Sequence, residues 1–379
     1  MLQAQQETPT RQSRSHGDSF GSGEDKQAVR GTSDPYKLSA RTPATVRRPL
    51  SVMPLLLLLL FMCCASVCVA WDDGVQRCMF EEMINKSGVQ STGVVRELPL
   101  KGQSGLQAYI VAEDSWAPIR IEVFAKDLED PLKYCTEVGQ HRPSFINRNI
   151  LCGADNILTT SKKEILLKHI IPGAIKLHAE RLSVLPITGV IHVPKFTTGI
   201  CFPFTIPSEH HTTGISGADM VLYVAAGPSG GAAAWAGPCA RLENRRPFIG
   251  AMNYDPMFID ATDMRVRIGA HEIAHALGFS FTDMSMRNII RDVSKVRGKV
   301  YATMVTSPRT RQMARRHYGC PSAKGMELED EDQRHTSLSH WERRNSKDEL
   351  MFGLGGKLGS RLSSLPKPLL FQSVLLLLQ

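Results

Sequence analysis

Residues 271–275 read His-Glu-Ile-Ala-His, and their flanks are apolar or small: Ala270 before, Ala276 and Leu277 after, Gly278 as a helix-ending residue. Positions four apart share one face of a helix, so this stretch predicts a helix that points His271 and His275 at one zinc ion, at roughly 2.0 to 2.1 Å. Glu272 is the next residue round the helix and reaches a water on the metal rather than the metal itself. Zinc lowers the pKa of such a water to about 7, and a carboxylate can then take its proton during attack on a peptide carbonyl. The same Glu272 later hands that proton to the leaving amine. Two histidines packed only for structure would leave a glutamate buried beside them to no purpose, which is costly.

A catalytic zinc takes three protein ligands and keeps a fourth position open. The compact pattern HExxHxxGxxH would place a histidine at position 281, where this chain has Phe281. No glutamate occurs between Ile273 and Met326, and Asp283 and Asp292 stand in no recognisable context. The third ligand therefore comes from farther away, with His317, His335 and His340 as candidates.

The chain has 379 residues, 42% of them hydrophobic, enough for one large core or two modest ones. Its net charge of +8 collects in the first fifty residues and in Arg287 to Arg316, without interleaved aromatics, so no nucleic-acid partner is expected. Arg47 and Arg48 precede an apolar run, Leu55 to Met62, and small residues end at Cys68-Val69-Ala70. That run is too short to span a bilayer and suits a signal peptide over 47–70 cut after Ala70; a signal anchor is the alternative. Residues 1–46 read as a disordered or artefactual extension, and 71–116 as a propeptide holding Cys78 and the chain's one glycosylation sequon, Asn85-Lys86-Ser87.

A catalytic domain is expected over 117–351. Ile119 to Phe124 alternates with period two, as a half-buried strand does. Ser161 to Leu182 has helical spacing with a kink at Pro172, and Ile187 to Val193 and Asp219 to Ala226 read as strands. Gly227 to Gly237 reads as a loop, and Arg287 to Gly319 as a long basic surface segment of weak periodicity. The expected class is α+β: a mixed sheet with a long backing helix and the HExxH helix.

The motifs RCMFEEM, KDLEDP, ADNILT, HIIP, GADMVLYVA, PCARLENRRP and YGC, together with HEIAHALGFS, resemble the leishmanolysin family over Arg77 to Met351. This family comprises the trypanosomatid major surface zinc proteases, of metzincin type. The resemblance implies one zinc per chain, with His340 in SHWERRNSKDELM as third ligand. It further implies Met351 as the methionine on a tight turn beneath the metal, and Cys78 as a thiolate that caps the zinc until activation. It implies disulfides Cys135 to Cys152 and Cys201 to Cys239, which suit an oxidising compartment and hence a secreted or cell-surface zymogen. Its partners would be protein or peptide substrates, with host or surface proteins as further candidates and membrane association only through a lipid anchor.

Cys320 pairs farther downstream in the family, and no cysteine follows it here. Residues 352–379 depart from the family pattern and read as the accidental tail of a truncated gene copy. The competing reading is a lipid-anchor signal at Gly359-Ser360 with apolar Leu369 to Leu378. The first of these makes an inactive surface or secreted paralogue, retained as antigen or adhesion module, the alternative to a working endopeptidase.

Overall fold

The structure is a computed structural model and describes residues 77–78, 80, 83, 93–94, 116–146, 148–330, 338–346 and 349–352. The expected signal peptide, the N-terminal extension, His335 and all of the tail after Phe352 lie outside the described residues.

A six-stranded mixed sheet organises the molecule. Its strands are β1 (Arg77–Cys78), β2 (Gly93–Val94), β3 (Ile121–Phe124), β4 (Met220–Ala225), β5 (Ala232–Arg241) and β6 (Pro247–Tyr254). The spatial order is β1-β5-β6-β4-β3, with β2 also on β5. β3, β4 and β6 run parallel, and β5 runs antiparallel to β6. The run MVLYVA in β4 is apolar throughout because both faces are covered. Met220, Leu222 and Val224 enter the core on one side, and Val221, Tyr223 and Ala225 the core on the other.

One face of the sheet carries the helices α1 (Thr160–Ile165), α2 (Ile171–Ala179) and α3 (Asp263–Ala276). The predicted helix over 161–182 is present from Thr160 to Ala179, with a π-turn at Leu166–Ile170 that ends two residues before Pro172. Proline has no N–H and crowds the carbonyl four residues back, so a widened turn there relieves both problems. α3 crosses α2 at close range: a Cβ on Gly173 would sit 2.8 Å from Val266 Cγ1. His178 of α2, fully buried, donates from Nε2 to the Ala270 carbonyl of α3 at 2.8 Å.

Beyond α3 come α4 (Phe281–Met286), the hairpin β7 (Ile290–Val296) and β8 (Lys299–Val305), α5 (Pro308–Tyr318) and β9 (Met326–Glu327). Three expectations are corrected. Ile187 to Val193 forms no strand: Ile187 N–H bonds the Asp219 carboxylate, and Ile191 alone bridges Ile215. Ile187, Ile191 and Val193 are buried by a tied loop rather than in a sheet, and Val190 is exposed. The supposed loop Gly227 to Gly237 becomes strand from Ala232 onward, and the basic segment after Arg287 folds into β7, β8 and α5. Disulfides join Cys135 to Cys152 and Cys201 to Cys239, the second anchoring β5, and Cys320 is a free thiol. Among the described residues no helix is long and apolar enough to cross a membrane.

Candidate metal centre

α3 starts after Thr262, with Asp263 in its first turn favourably placed at the positive end of the helix dipole. Its final two turns, from Ile268 to Ala276, are buried. It stops at Gly278, whose φ of +100° is left-handed, and the chain folds back so that Phe279 N–H bonds the Ala274 carbonyl at 3.0 Å.

That turn sets one ligand. His275 Nδ1 lies 2.7 Å from the Phe279 carbonyl oxygen, and His271 Nδ1 lies 2.7 Å from the Leu350 carbonyl oxygen. A carbonyl has no proton to give, so each Nδ1 is the donor and each Nε2 presents a lone pair. His340, completely buried, brings its Nε2 to 3.1 Å from His271 Nε2 and 3.2 Å from His275 Nε2. Burial first, then the neighbouring imidazoles, holds His275 well below its usual pKa and His271 down to about 3, so both rings are neutral at physiological pH.

Converging nitrogens at this spacing fit a cation. Ligands around a tetrahedral zinc at about 2.0 to 2.1 Å stand about 3.4 Å from one another, close to the separations found here. Three imidazoles with carbonyls fixing two of the outer ring nitrogens are compatible with the donor set of a zinc site. Glu272 is 1% exposed and lies between the two helical histidines in sequence.

The other candidates lie elsewhere. His317 sits on α5 with Nδ1 4.0 Å from a Glu349 carboxylate oxygen. Asp283 is held by Arg241, and Asp292 accepts from Thr303 on the hairpin. A second carboxylate group, Glu329, Asp330 and Glu342, is drawn together. There the Lys299 ammonium already stands 2.8 Å from Asp330 and 3.5 Å from Glu342, in a cation's place.

His340 owes its position to a small ladder. Its carbonyl accepts from Glu329 N–H at 2.9 Å, while Trp341 N–H donates to the carbonyl of Met351 at 2.7 Å. Trp341 and Met351 are both completely buried, and the Trp341 indole meets Phe279 edge-on, with centroids 4.9 Å apart. Sequence reasoning missed Phe80. Its ring stacks on the His275 imidazole at 4.2 Å and 8°, and Met83 is buried nearby against Gly237. Position within RCMFEEM, two residues past Cys78, was the available signal. The backbone of Cys78 pairs with Ala234, so β1 lies on the start of the outer edge of β5, at Ala232 and Ala234, and β2 on its end, at Ala240 and Arg241.

A histidine pair on a buried helix, a distant third histidine and a mixed sheet whose strand β5 runs antiparallel to its neighbour β6 define a zincin of metzincin type. Residues 86–360 match the leishmanolysin family, peptidase M8. A leishmanolysin homolog of Crithidia fasciculata is 40% identical over 75% of this chain and 45% of its own length. Leishmanolysin of Leishmania major is 38% identical over 64% of this chain and 41% of its own, and a leishmanolysin-like peptidase of Drosophila melanogaster is 31% identical over 37% and 28%. The chain belongs to the leishmanolysin family, a family of zinc-dependent metalloproteases. It spans less than half the length of these relatives.

Proposed function

We propose that this chain is a zinc endopeptidase, with His271, His275 and His340 as the ligands of a single ion and Glu272 as the general base. The observation that carries this is the convergence of three imidazoles, with His340 Nε2 3.1 Å from His271 Nε2 and 3.2 Å from His275 Nε2 and with Nδ1 of both helical histidines committed to a carbonyl. When bound, zinc acidifies water and polarises a peptide carbonyl. Glu272 takes the proton from the attacking water and returns it to the departing amine. Met351, whose carbonyl holds the Trp341 N–H next to His340, supports the site from below. The outer edge of β5 offers backbone groups to an extended protein or peptide substrate.

The segment 71–116 acts as a prosegment, with Cys78 as the thiol that caps the metal. Two features support this: β1 and β2 pair with the two ends of the edge that a substrate would use, and Phe80 lies flat on His275. Two disulfides suit synthesis through the secretory pathway, from a signal peptide at 47–70 to a secreted or cell-surface product.

The test is casein cleavage by the chain with its prosegment removed, beside Glu272→Ala. The expected result is cleavage by the wild type, lowered about 10²- to 10⁴-fold by the substitution while zinc stays bound. Zinc bound without wild-type cleavage contradicts the enzymatic reading.

A further inference from the structure

Arg241 is the last residue of β5, and Asp283 lies in the first turn of α4. The two form a bidentate pair, Nε to Oδ1 at 2.8 Å and one terminal nitrogen to Oδ2 at 2.9 Å, with both side chains under 10% exposed. Such a pair fixes direction as well as distance, because the planar guanidinium fork matches the carboxylate. Asp283 passes the constraint on. Its Oδ2 accepts from Ser280 Oγ at 2.7 Å, and its own N–H donates back to that hydroxyl at 3.1 Å, capping α4.

Ser280 directly follows Phe279, whose carbonyl accepts the His275 Nδ1 proton. One residue farther, Phe281 N–H donates to Ser339 Oγ at 2.9 Å, and Ser339 directly precedes His340. The six-residue segment 278–283 thus holds His275 through one direct bond and the residue before His340, Ser339, through another. We propose that Arg241 and Asp283 are positioning residues for the metal centre: their ion pair holds this turn, which orients His275 through the Phe279 carbonyl and seats His340 through Ser339. Because Arg241 also ends β5, the same pair ties the turn after the HExxH helix to that strand. The inference rests on the zinc reading of the three histidines.

The test uses the full chain with Arg241→Met and Asp283→Leu combined. Buried ion pairs replaced whole by apolar side chains of similar size commonly keep their stability, whereas removing one partner does not. Circular dichroism and melting with chelator present report folding. Competition against a chelator reports zinc affinity, and the visible absorption of the cobalt(II) form reports ligand geometry. The expected result is a folded double variant that binds zinc roughly 10- to 100-fold more weakly, with an altered cobalt spectrum. A folded variant with wild-type affinity and spectrum overturns the proposal.

If the double variant does not fold, Ser280→Ala decides, because it leaves the ion pair in place and cuts its link to the turn. Zinc affinity weakened about tenfold supports the proposal, and unchanged affinity overturns it. A wild type that binds no zinc removes the metal reading itself, and this proposal with it.

Discussion

His178 shows how tightly the helix layer under the centre is built. Its imidazole is fully buried between α2 and α3, and burial lowers its pKa from 6.5 to about 4 in spite of the bond to Ala270. Above pH 6.5 the ring is neutral whether the chain is folded or unfolded, and it contributes no pH dependence. Between 6.5 and about 4 the unfolded chain takes up a proton that the folded chain refuses, so stability falls as pH falls and levels off below about 4. The loss amounts to about 3 kcal/mol. Chemical unfolding of wild type and His178→Gln with chelator present, from pH 7 to 4, should show the wild type losing that much more. Parallel pH profiles for the two proteins would contradict it.

At the scale of elements, β5 decides what the HExxH helix faces, and on the proposed zymogen reading the N-terminal segment decides whether β5 is free. β1 and β2 run parallel along its outer edge, with Phe80 between them in sequence and stacked on His275. Truncating a buried phenylalanine costs about 3–5 kcal/mol, so Phe80→Ala should loosen the prosegment. Peptide hydrolysis by the uncleaved variant should exceed that of the uncleaved wild type by about tenfold or more, with the cleaved forms equal. Equal activities of the uncleaved forms would rule out this latch.

The same strand explains why part of the fold was hard to read in advance. α3, β3 and β4 announce themselves through a motif, strict alternation and a β-branched apolar run. β5 reads AAAWAGPCAR, and small residues with Gly237 and Pro238 look like a loop when only propensity is weighed. Tertiary packing selects them: a Cβ at Gly237 would lie 2.8 Å from Ile200 Cδ1 and 3.1 Å from Met83 Cε. Ile187 to Val193 failed in the opposite direction, because Ile187, Ile191 and Val193 are buried by the ties to Asp219 and Ile215 without any ladder. His340 was one of three open choices by residue chemistry, since spacing alone says nothing about a loop sixty residues on, and only the family resemblance singled it out.

For the described molecule as a whole, the sheet, the two disulfides and the ladder at Leu328, Trp341 and Phe352 serve one arrangement: a buried helix, a distant histidine and a strand edge brought to one place. The basic excess sits largely on β7, β8 and α5, where Arg297 and Lys299 pair with Glu327 beneath the His340 segment. X-ray absorption at the zinc edge, on purified chain of measured metal content, tests the account most directly. The account predicts one zinc per chain with three imidazole nitrogens at roughly 2.0 to 2.1 Å, falling to two in His340→Ala. A zinc-free protein, or a wild-type spectrum with fewer than three imidazoles, would contradict it.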